Sequence, residues 1–204
     1  MCIRDSDWSV RRGRELGAAT VGIVGFGRIG QGVARRLGGF GSRVLATDPF
    51  LPADVIVERG AEPIDLDELF RSADLITLHA PGGQTLVDAA RLDSIRPGLI
   101  LVNTARPDLV DEAAIADALR DGRLGAYAAD TLNGDTAASA SPLLADDLAD
   151  RVTVTPHLGA QTTQAVDNMG SMSLDDVLAV LAGRSPAHPC LLYTSDAADD
   201  LLCV

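Results

Sequence analysis

Short apolar segments rich in β-branched residues alternate along the chain with segments whose apolar residues recur every three or four positions. The short segments predict buried strands at residues 20–24, 43–47, 74–79, 99–103, 125–129 and 152–155. The periodic segments predict helices at residues 29–40, 66–73, 92–95, after Asp111, and at 166–181. This alternation predicts an α/β fold in which a parallel sheet is covered by helices on both faces.

A glycine-rich turn, Gly25-Phe-Gly27-Arg-Ile-Gly30, joins the first predicted strand to the first predicted helix. Gly25 permits the tight turn, Gly27 lets the backbone approach a pyrophosphate, and Gly30 allows the helix to pack closely on the strand. Arg28 and Ile29 lie at the N-terminus of the predicted helix. Their backbone N–H groups have no partners within the helix and can bind phosphate. A glycine turn that holds no ligand is the alternative interpretation of this segment.

An acidic residue, Asp48, ends the second predicted strand near the expected offset of about 20 residues from the glycine turn. Its carboxylate would accept hydrogen bonds from the ribose hydroxyls of a dinucleotide, and its charge would repel a 2′-phosphate. The glycine turn and this acid together predict a Rossmann-type doubly wound parallel sheet that binds NAD in preference to NADP.

The composition excludes several other classes of function. The chain has 204 residues, enough for one ordinary domain. Its net charge of -12 and its aromatic content of 3% argue against binding to nucleic acid. No apolar run approaches the ~20 residues of a membrane-spanning helix, so we expect no membrane partner. All 17 basic residues are arginine, which excludes any mechanism that needs a lysine.

The two ends of the chain differ from its middle. Residues 1–6 can be back-translated into a DNA segment whose reverse complement encodes Cys-Leu-Leu-Tyr-Thr, the sequence of residues 190–194. This inverted repeat resembles a transposon end used for sequencing libraries. We therefore expect residues 1–6 and 190–204 to be translated adapter around a domain at residues 7–189. All three cysteines lie in these ends, so we expect neither a disulfide nor a metal site.

Several further motifs follow in order along the chain. They are His79-Ala-Pro81, Leu101-Val-Asn-Thr-Ala-Arg106, Leu109-Val-Asp-Glu112 and Thr155-Pro-His-Leu-Gly159. Together with the glycine turn and Asp48, they resemble the D-isomer-specific 2-hydroxyacid dehydrogenases over residues 13–185. The resemblance implies a hydride transfer between NAD(H) and C2 of a 2-hydroxy or 2-oxo acid. It also implies a fragment, because complete members carry a substrate-binding domain in addition to this one.

The resemblance implies a catalytic trio. Arg106 matches the arginine that binds the substrate carboxylate, a role that suits a guanidinium fork after a strand end. His157 matches the general acid/base. The family usually places a glutamate five residues after the aspartate that ends the preceding strand. Counted from Asp130, that position is Asp135, which could orient His157 or could be a turn residue beside Gly134.

The same resemblance implies cofactor contacts at the ends of other strands. These positions are His79, Pro81, Thr104, Ala105 and Asp130, with His79 acting as scaffolding for the cofactor loop. Family members commonly dimerise through this domain, so we expect a homodimer. No secretory signal is visible, so we expect a cytoplasmic protein.

Two further departures from the family pattern concern loop geometry. Pro107 stands where the family usually has a glycine after the arginine, and residues 82–85 form a shorter segment than usual. Pro107 and Asp135 favour an alternative function, a non-catalytic module that senses NAD. The presence of both Arg106 and His157 favours the dehydrogenase instead.

Overall fold

The computed structural model describes residues 13–134 and 141–188. Its strands are β1 (Thr20–Val24), β2 (Arg43–Thr47), β3 (Glu62–Pro63), β4 (Leu75–Leu78), β5 (Leu99–Asn103), β6 (Leu124–Ala129) and β7 (Val152–Val154). They form one parallel sheet in the order β3-β2-β1-β4-β5-β6-β7. The strand order reverses between β1 and β4, which is the Rossmann arrangement. The predicted fold class is therefore confirmed.

The helices in the described ranges are α1 (Arg28–Phe40), α2 (Ala53–Glu58), α3 (Leu66–Ser72), α4 (Ala89–Leu92), α5 (Glu112–Arg120) and α6 (Thr163–Leu181). Four of them begin after a residue whose side chain accepts a hydrogen bond from a backbone N–H of the first turn. These N-caps are Asp65, Asp88, Asp111 and Thr162. Such caps stabilise a helix start by about 1 kcal/mol each, which explains why short helices are sharply bounded here.

The core consists of two hydrophobic clusters, one on each face of the sheet. Successive residues of β1 show the division, because Ile23 belongs to one cluster and Val24 to the other. The smaller cluster includes Ile56 from α2 and Ala34 from α1. The larger one receives buried residues from α3, α4 and α5. The predicted cover of helices on both faces is therefore present.

Three features differ from the sequence prediction. Neither α2 nor β3 was predicted. The short helix expected at residues 92–95 lies at Ala89–Leu92 instead, because Asp88 caps it one turn earlier. The irregular connection before β7 contains two 3-10 turns, Pro142–Leu144 and Asp146–Leu148. The ends expected to be adapter, residues 1–6 and 190–204, lie outside the described residues.

Helix α6 lies largely outside the core. Among its 19 residues only Ala179 is buried. Its large apolar side chains are exposed, among them Val166, Met169, Val177 and Leu181. The helix itself was predicted from this apolar spacing, and its apolar face is open in the described chain. Within the described ranges, no helix is long and apolar enough to cross a membrane.

Candidate active site

The candidate functional residues meet at one edge of the sheet, where the parallel strands have their carboxyl ends. Each follows a different strand, and the set is Gly25 after β1, Asp48 after β2, His79 after β4, Arg106 after β5, Asp130 after β6 and His157 after β7. In open α/β sheets, ligands bind outside this edge at the point where the strand order reverses. The glycine turn lies at that point, between β1 and α1.

The three glycines of the turn differ in what surrounds them. Gly25 has a φ of 86°, and a Cβ there would lie 2.7 Å from the backbone N of Ala80. A Cβ on Gly30 would lie 2.3 Å from the carbonyl oxygen of Gly25. Gly27, the N-cap of α1, has nothing within 4 Å of the corresponding position. The chain itself therefore requires Gly25 and Gly30, whereas Gly27 leaves space that a bound ligand can fill.

The start of α1 offers the complementary groups for a phosphate. Arg28 and Ile29 are exposed, and no side chain caps the helix. The first N–H groups of a helix lack partners inside the helix, and its dipole favours negative charge at this end. The open space beside Gly27 thus fits a pyrophosphate.

The half-buried carboxylate of Asp48 connects β2 to the glycine turn. Its Oδ2 accepts a hydrogen bond from the Phe26 N–H at 2.7 Å, and its Oδ1 accepts one from the Phe50 N–H at 2.9 Å. A carboxylate has about four acceptor positions, and these bonds use two of them. Asp48 can therefore hold the turn in place and still accept hydrogen bonds from ribose hydroxyls.

His79 is held at the end of β4 by one backbone and one side-chain hydrogen bond. Its backbone N–H donates to the Val24 carbonyl oxygen at 2.7 Å, and its Nε2 lies 3.0 Å from the Thr77 hydroxyl. Burial lowers the pKa of His79, so the ring is neutral at pH 7. This environment suits the scaffolding role expected for it. Pro81 follows in an exposed position.

The turn that carries Arg106 is organised by a buried asparagine. Asn103, at the end of β5, is fully buried, and its Nδ2 donates to the Arg106 carbonyl oxygen at 2.8 Å. Its Oδ1 accepts the Ala105 N–H at 3.1 Å. Thr104 is exposed between them, and the Arg106 side chain is half-buried. Sequence reasoning counted Asn103 only as part of a motif, although a polar residue at the end of an apolar strand could have indicated this role.

Asp130 lies beneath the segment that carries His157. It is only 6% exposed. Its carboxylate accepts hydrogen bonds from the Thr155 hydroxyl, from the Leu158 N–H at 2.9 Å and from the Gly159 N–H at 2.8 Å. Burial raises the pKa of the Asp130 carboxyl, but the three hydrogen bonds and the electrostatic attraction of His157 together more than offset burial and hold the pKa below its ordinary value. The carboxylate is therefore ionised and organises this loop.

His157 has a backbone conformation that is unusual for a residue with a side chain. Its φ is 54°, the only positive value at a non-glycine residue in the described ranges. Its N–H donates to the Asp130 carbonyl oxygen at 2.8 Å, and the side chain is exposed at the edge of the sheet. Backbone outliers of this kind tend to occur at functional sites. Asp135, the expected carboxylate partner of His157, lies outside the described residues.

Glu112 is a buried carboxylate that sequence reasoning did not assign to the site. It is the first residue of α5 and is 7% exposed. Its Oε1 accepts the Asn133 N–H at 2.7 Å, and its Oε2 accepts the Ser141 hydroxyl at 2.7 Å. A buried charge is tolerated only with such partners, so Glu112 fixes the chain that follows β6. The signal available in the sequence was the Leu109-Val-Asp-Glu112 motif.

Comparison with known proteins identifies the family whose sequence pattern this chain matches. The sequence model of the family described as "D-isomer specific 2-hydroxyacid dehydrogenase, NAD binding domain" matches residues 2–159. A D-3-phosphoglycerate dehydrogenase of Mycobacterium tuberculosis is 41% identical over 187 residues, which cover 89% of this chain and 35% of that protein. A D-lactate dehydrogenase of Leuconostoc mesenteroides subsp. cremoris is 35% identical over 197 residues, covering 90% of this chain and 59% of that protein. The chain thus spans between about a third and three fifths of these relatives' length.

Solved structures give the same result. The D-lactate dehydrogenase from Lactobacillus jensenii, crystallised with NAD+, matches with a TM-score of 0.79 and 28% identity over 91% of this chain and 60% of its own. The D-lactate dehydrogenase from Aquifex aeolicus, complexed with NAD and lactic acid, matches with a TM-score of 0.78 and 28% identity over 89% of this chain and 60% of its own. The chain therefore belongs to the D-isomer-specific 2-hydroxyacid dehydrogenases and carries the NAD-binding domain of that family.

Proposed function

We propose that this chain is the NAD-binding part of a dehydrogenase that transfers a hydride between NAD(H) and C2 of a 2-hydroxy or 2-oxo acid. The observation that carries the proposal is that Arg106, after β5, and His157, after β7, lie at the same edge of the sheet as the glycine turn and Asp48. An arginine fork and an imidazole are the groups that this reaction needs besides the cofactor.

The cofactor site is divided by the topology of the sheet. The N-terminus of α1 would hold the pyrophosphate, and Asp48 on the β2 side would bind the adenosine ribose. His79, Ala105 and Asp130, which follow β4, β5 and β6, would border the nicotinamide half. Three of the acceptor positions of Asp130 are used within the chain, which leaves about one for the cofactor. When bound, NAD(H) supplies or accepts the hydride.

The chain's own residues hold the substrate and move one proton. The Arg106 guanidinium binds the substrate carboxylate through two parallel hydrogen bonds and polarises the adjacent C2 carbonyl. In the reducing direction, the His157 imidazolium donates a proton to the carbonyl oxygen. In the oxidising direction, the neutral imidazole takes the proton of the C2 hydroxyl. Asp135 would stabilise the imidazolium by its negative charge.

The relatives' names agree with this class of reaction and leave the substrate side chain open. They name phosphoglycerate, lactate and sulfolactate dehydrogenases, whose named substrates are all 2-hydroxy acids. These names give no support to the NAD-sensing alternative. The expected homodimer and the cytoplasmic location stay predictions.

The test is turnover in the full-length parent enzyme, measured as NADH oxidation over a panel of 2-oxo acids. Arg106→Ala should lower kcat/KM by about a thousandfold while leaving the Kd of NADH unchanged, because a bidentate charged contact to the substrate is lost. Arg71→Ala removes an exposed arginine of α3 that pairs only with surface groups and serves as the matched control. Normal turnover by the Arg106 variant would refute the assigned role.

A further inference from the structure

We propose that Asp108 is a positioning residue for the nicotinamide end of the cofactor site. Its carboxylate holds the loop of residues 82–85, called here the β4 loop, against the turn that carries Arg106. The proposal rests on the proposed function for the placement of the nicotinamide. It concerns a residue to which neither the motifs nor the comparisons assign a role.

Direct contacts join Asp108 to the β4 loop. The Asp108 Oδ2 accepts the Gly83 N–H at 2.5 Å, and the Thr85 hydroxyl donates to the Asp108 carbonyl oxygen at 3.2 Å. A Cβ on Gly82 would lie 2.8 Å from Asp108 Oδ1. The carboxylate is therefore packed against the backbone of the loop, and a side chain at position 82 would push it from this place.

Backbone hydrogen bonds also join the residues that follow the β4 loop to those that follow Asp108. The N–H groups of Leu86 and Val87 both donate to the Leu109 carbonyl oxygen, at 2.8 and 3.0 Å. The Asp111 N–H donates back to the Val87 carbonyl oxygen at 2.9 Å, and Val87 forms a parallel bridge with Val110. The β4 loop is thus followed by a segment that is firmly paired with residues 109–111.

Pro107 begins the turn that carries Asp108. It is the first residue of a 3-10 turn, Pro107–Leu109, for which Arg106 is the N-cap. Proline suits the first position of such a turn because its φ is already fixed and its missing N–H would have no partner. The same turn therefore presents Arg106 at its start and Asp108 in its middle.

The two departures from the family pattern meet at this point. The short segment is the β4 loop, and the Pro107–Asp108 pair stands across from it. A shorter loop has fewer side chains with which to fix itself, and the Asp108 carboxylate supplies the missing hydrogen-bond acceptor. The two departures are therefore in direct contact in the fold.

The topology indicates which part of the cofactor this loop faces. The adenosine half lies on the β2 side of the reversal point, and β4 lies on the other side. The β4 loop leaves the carboxyl end of β4 beside His79, so it borders the nicotinamide half and lies away from the adenosine. Loosening the loop should therefore affect ligands that contain nicotinamide and spare those that lack it.

The experiment compares NADH with ADP-ribose, which lacks the nicotinamide, by calorimetric titration of the present chain. Asp108→Ala should raise the Kd of NADH about fivefold and leave the Kd of ADP-ribose unchanged, because one charge-assisted hydrogen bond to the loop is lost. Asp108→Asn keeps an oxygen that accepts the Gly83 N–H and should stay within about twofold of wild type. Asp117→Ala, an exposed carboxylate on α5, is the matched control.

Hydrogen exchange at the Gly83 amide gives a readout without any ligand. Exchange should accelerate at least about tenfold in Asp108→Ala and remain unchanged in Asp117→Ala. Equal weakening of NADH and ADP-ribose, or an unchanged Gly83 amide, would overturn the proposal. An inactive parent enzyme would defeat only the proposed function, because these measurements need no turnover.

A double-mutant cycle isolates the contact itself. Gly82→Ala places a methyl group against the Asp108 carboxylate and should raise the Kd of NADH and the exchange rate of Gly83. In the Asp108→Ala background that clash is gone, so the double variant should match Asp108→Ala alone. Strictly additive effects of the two substitutions would contradict a direct coupling.

Discussion

Replacing Asp130 with asparagine should destabilise the folded chain at neutral pH, and the loss should fade as the pH falls. Asparagine keeps the size of the side chain and one acceptor oxygen, which can still serve the Thr155 hydroxyl and the Leu158 N–H. Its amide group then replaces the oxygen that faces the Gly159 N–H. The variant thus loses one hydrogen bond outright and turns two charge-assisted bonds into neutral ones.

The size of the effect follows from these three contacts. A hydrogen bond to a charged group contributes about 1.5–3 kcal/mol, and a neutral one about half as much. Gly159 is an exposed residue, so water can bind its released N–H and recover part of the loss. The free energy of unfolding at pH 7 should therefore fall by about 2–3 kcal/mol.

The pH dependence has a definite sign. The pKa of Asp130 is lower in the folded chain than its ordinary value. The carboxylate therefore stabilises the fold fully at a pH above the unfolded-state pKa of about 3.9, and this stabilisation is lost as the pH falls through the lower folded-state pKa. Asparagine does not titrate, so the gap between wild type and variant should shrink in that range.

Urea unfolding between pH 7 and pH 2.5 measures this gap. Thr155→Val removes a single donor to the carboxylate and should cost about 1.5 kcal/mol, the lower end of the range for a bond to a charged group. Asp175→Asn alters an exposed carboxylate on α6 and should change stability by less than about 0.5 kcal/mol. A gap below that size for Asp130→Asn at pH 7, or a gap that widens toward acid pH, would refute the reasoning.

Three further substitutions concern the cofactor site. Gly27→Ala should lower the free energy of unfolding by less than about 1 kcal/mol, since its Cβ meets nothing within 4 Å and only the N-cap preference for glycine is lost. It should nevertheless raise the Kd of NADH about tenfold or more because the cofactor needs that space. Gly30→Ala should instead lower the free energy of unfolding by about 3 kcal/mol or more, because its Cβ would clash with the Gly25 carbonyl oxygen. Calorimetry measures the Kd of NADH and urea unfolding measures stability for both glycine variants. Similar effects of Gly27→Ala and Gly30→Ala on these two quantities would contradict the different roles of the two glycines. Asp48→Ser should reduce the preference for NADH over NADPH about tenfold, because it removes the charge that repels a 2′-phosphate, and an unchanged ratio of the two Kd values would argue against that role.

The sheet could be predicted from sequence wherever a strand is a continuous apolar segment between turn residues. The bounds of β1, β2 and β5 match the predicted segments. Successive residues of β1 and β2 are buried, so both faces of these strands are covered, whereas β5 is buried at alternate residues and Ile100 is exposed. The edge strand β3 has two exposed residues, and α2 has six residues with one buried, so neither carries a periodic signal. The spacing of apolar residues predicted the helix α6, but this spacing does not determine what packs against its apolar side chains.

Much of the candidate site followed from strand ends, because parallel strands bring their carboxyl ends to one edge. That rule placed Arg106 and His157 at the same edge of the sheet as the glycine turn. It could not find Glu112, whose role depends on partners 21 and 29 residues away in sequence. Nor could it find the contact between Asp108 and Gly83, which are 25 residues apart. Such pairings depend on how loops meet after folding, and local sequence patterns do not record them.

The left-handed backbone of His157 sets stability against activity at one position. A positive φ costs a residue with a side chain about 1 kcal/mol or more, whereas glycine adopts it freely and asparagine tolerates it well. Selection of this chain for thermal resistance alone would therefore favour the replacement of His157 by one of these residues. Each replacement would remove the imidazole that the proposed chemistry requires. Any programme of stabilisation should hold position 157 fixed and seek its gains elsewhere in the fold.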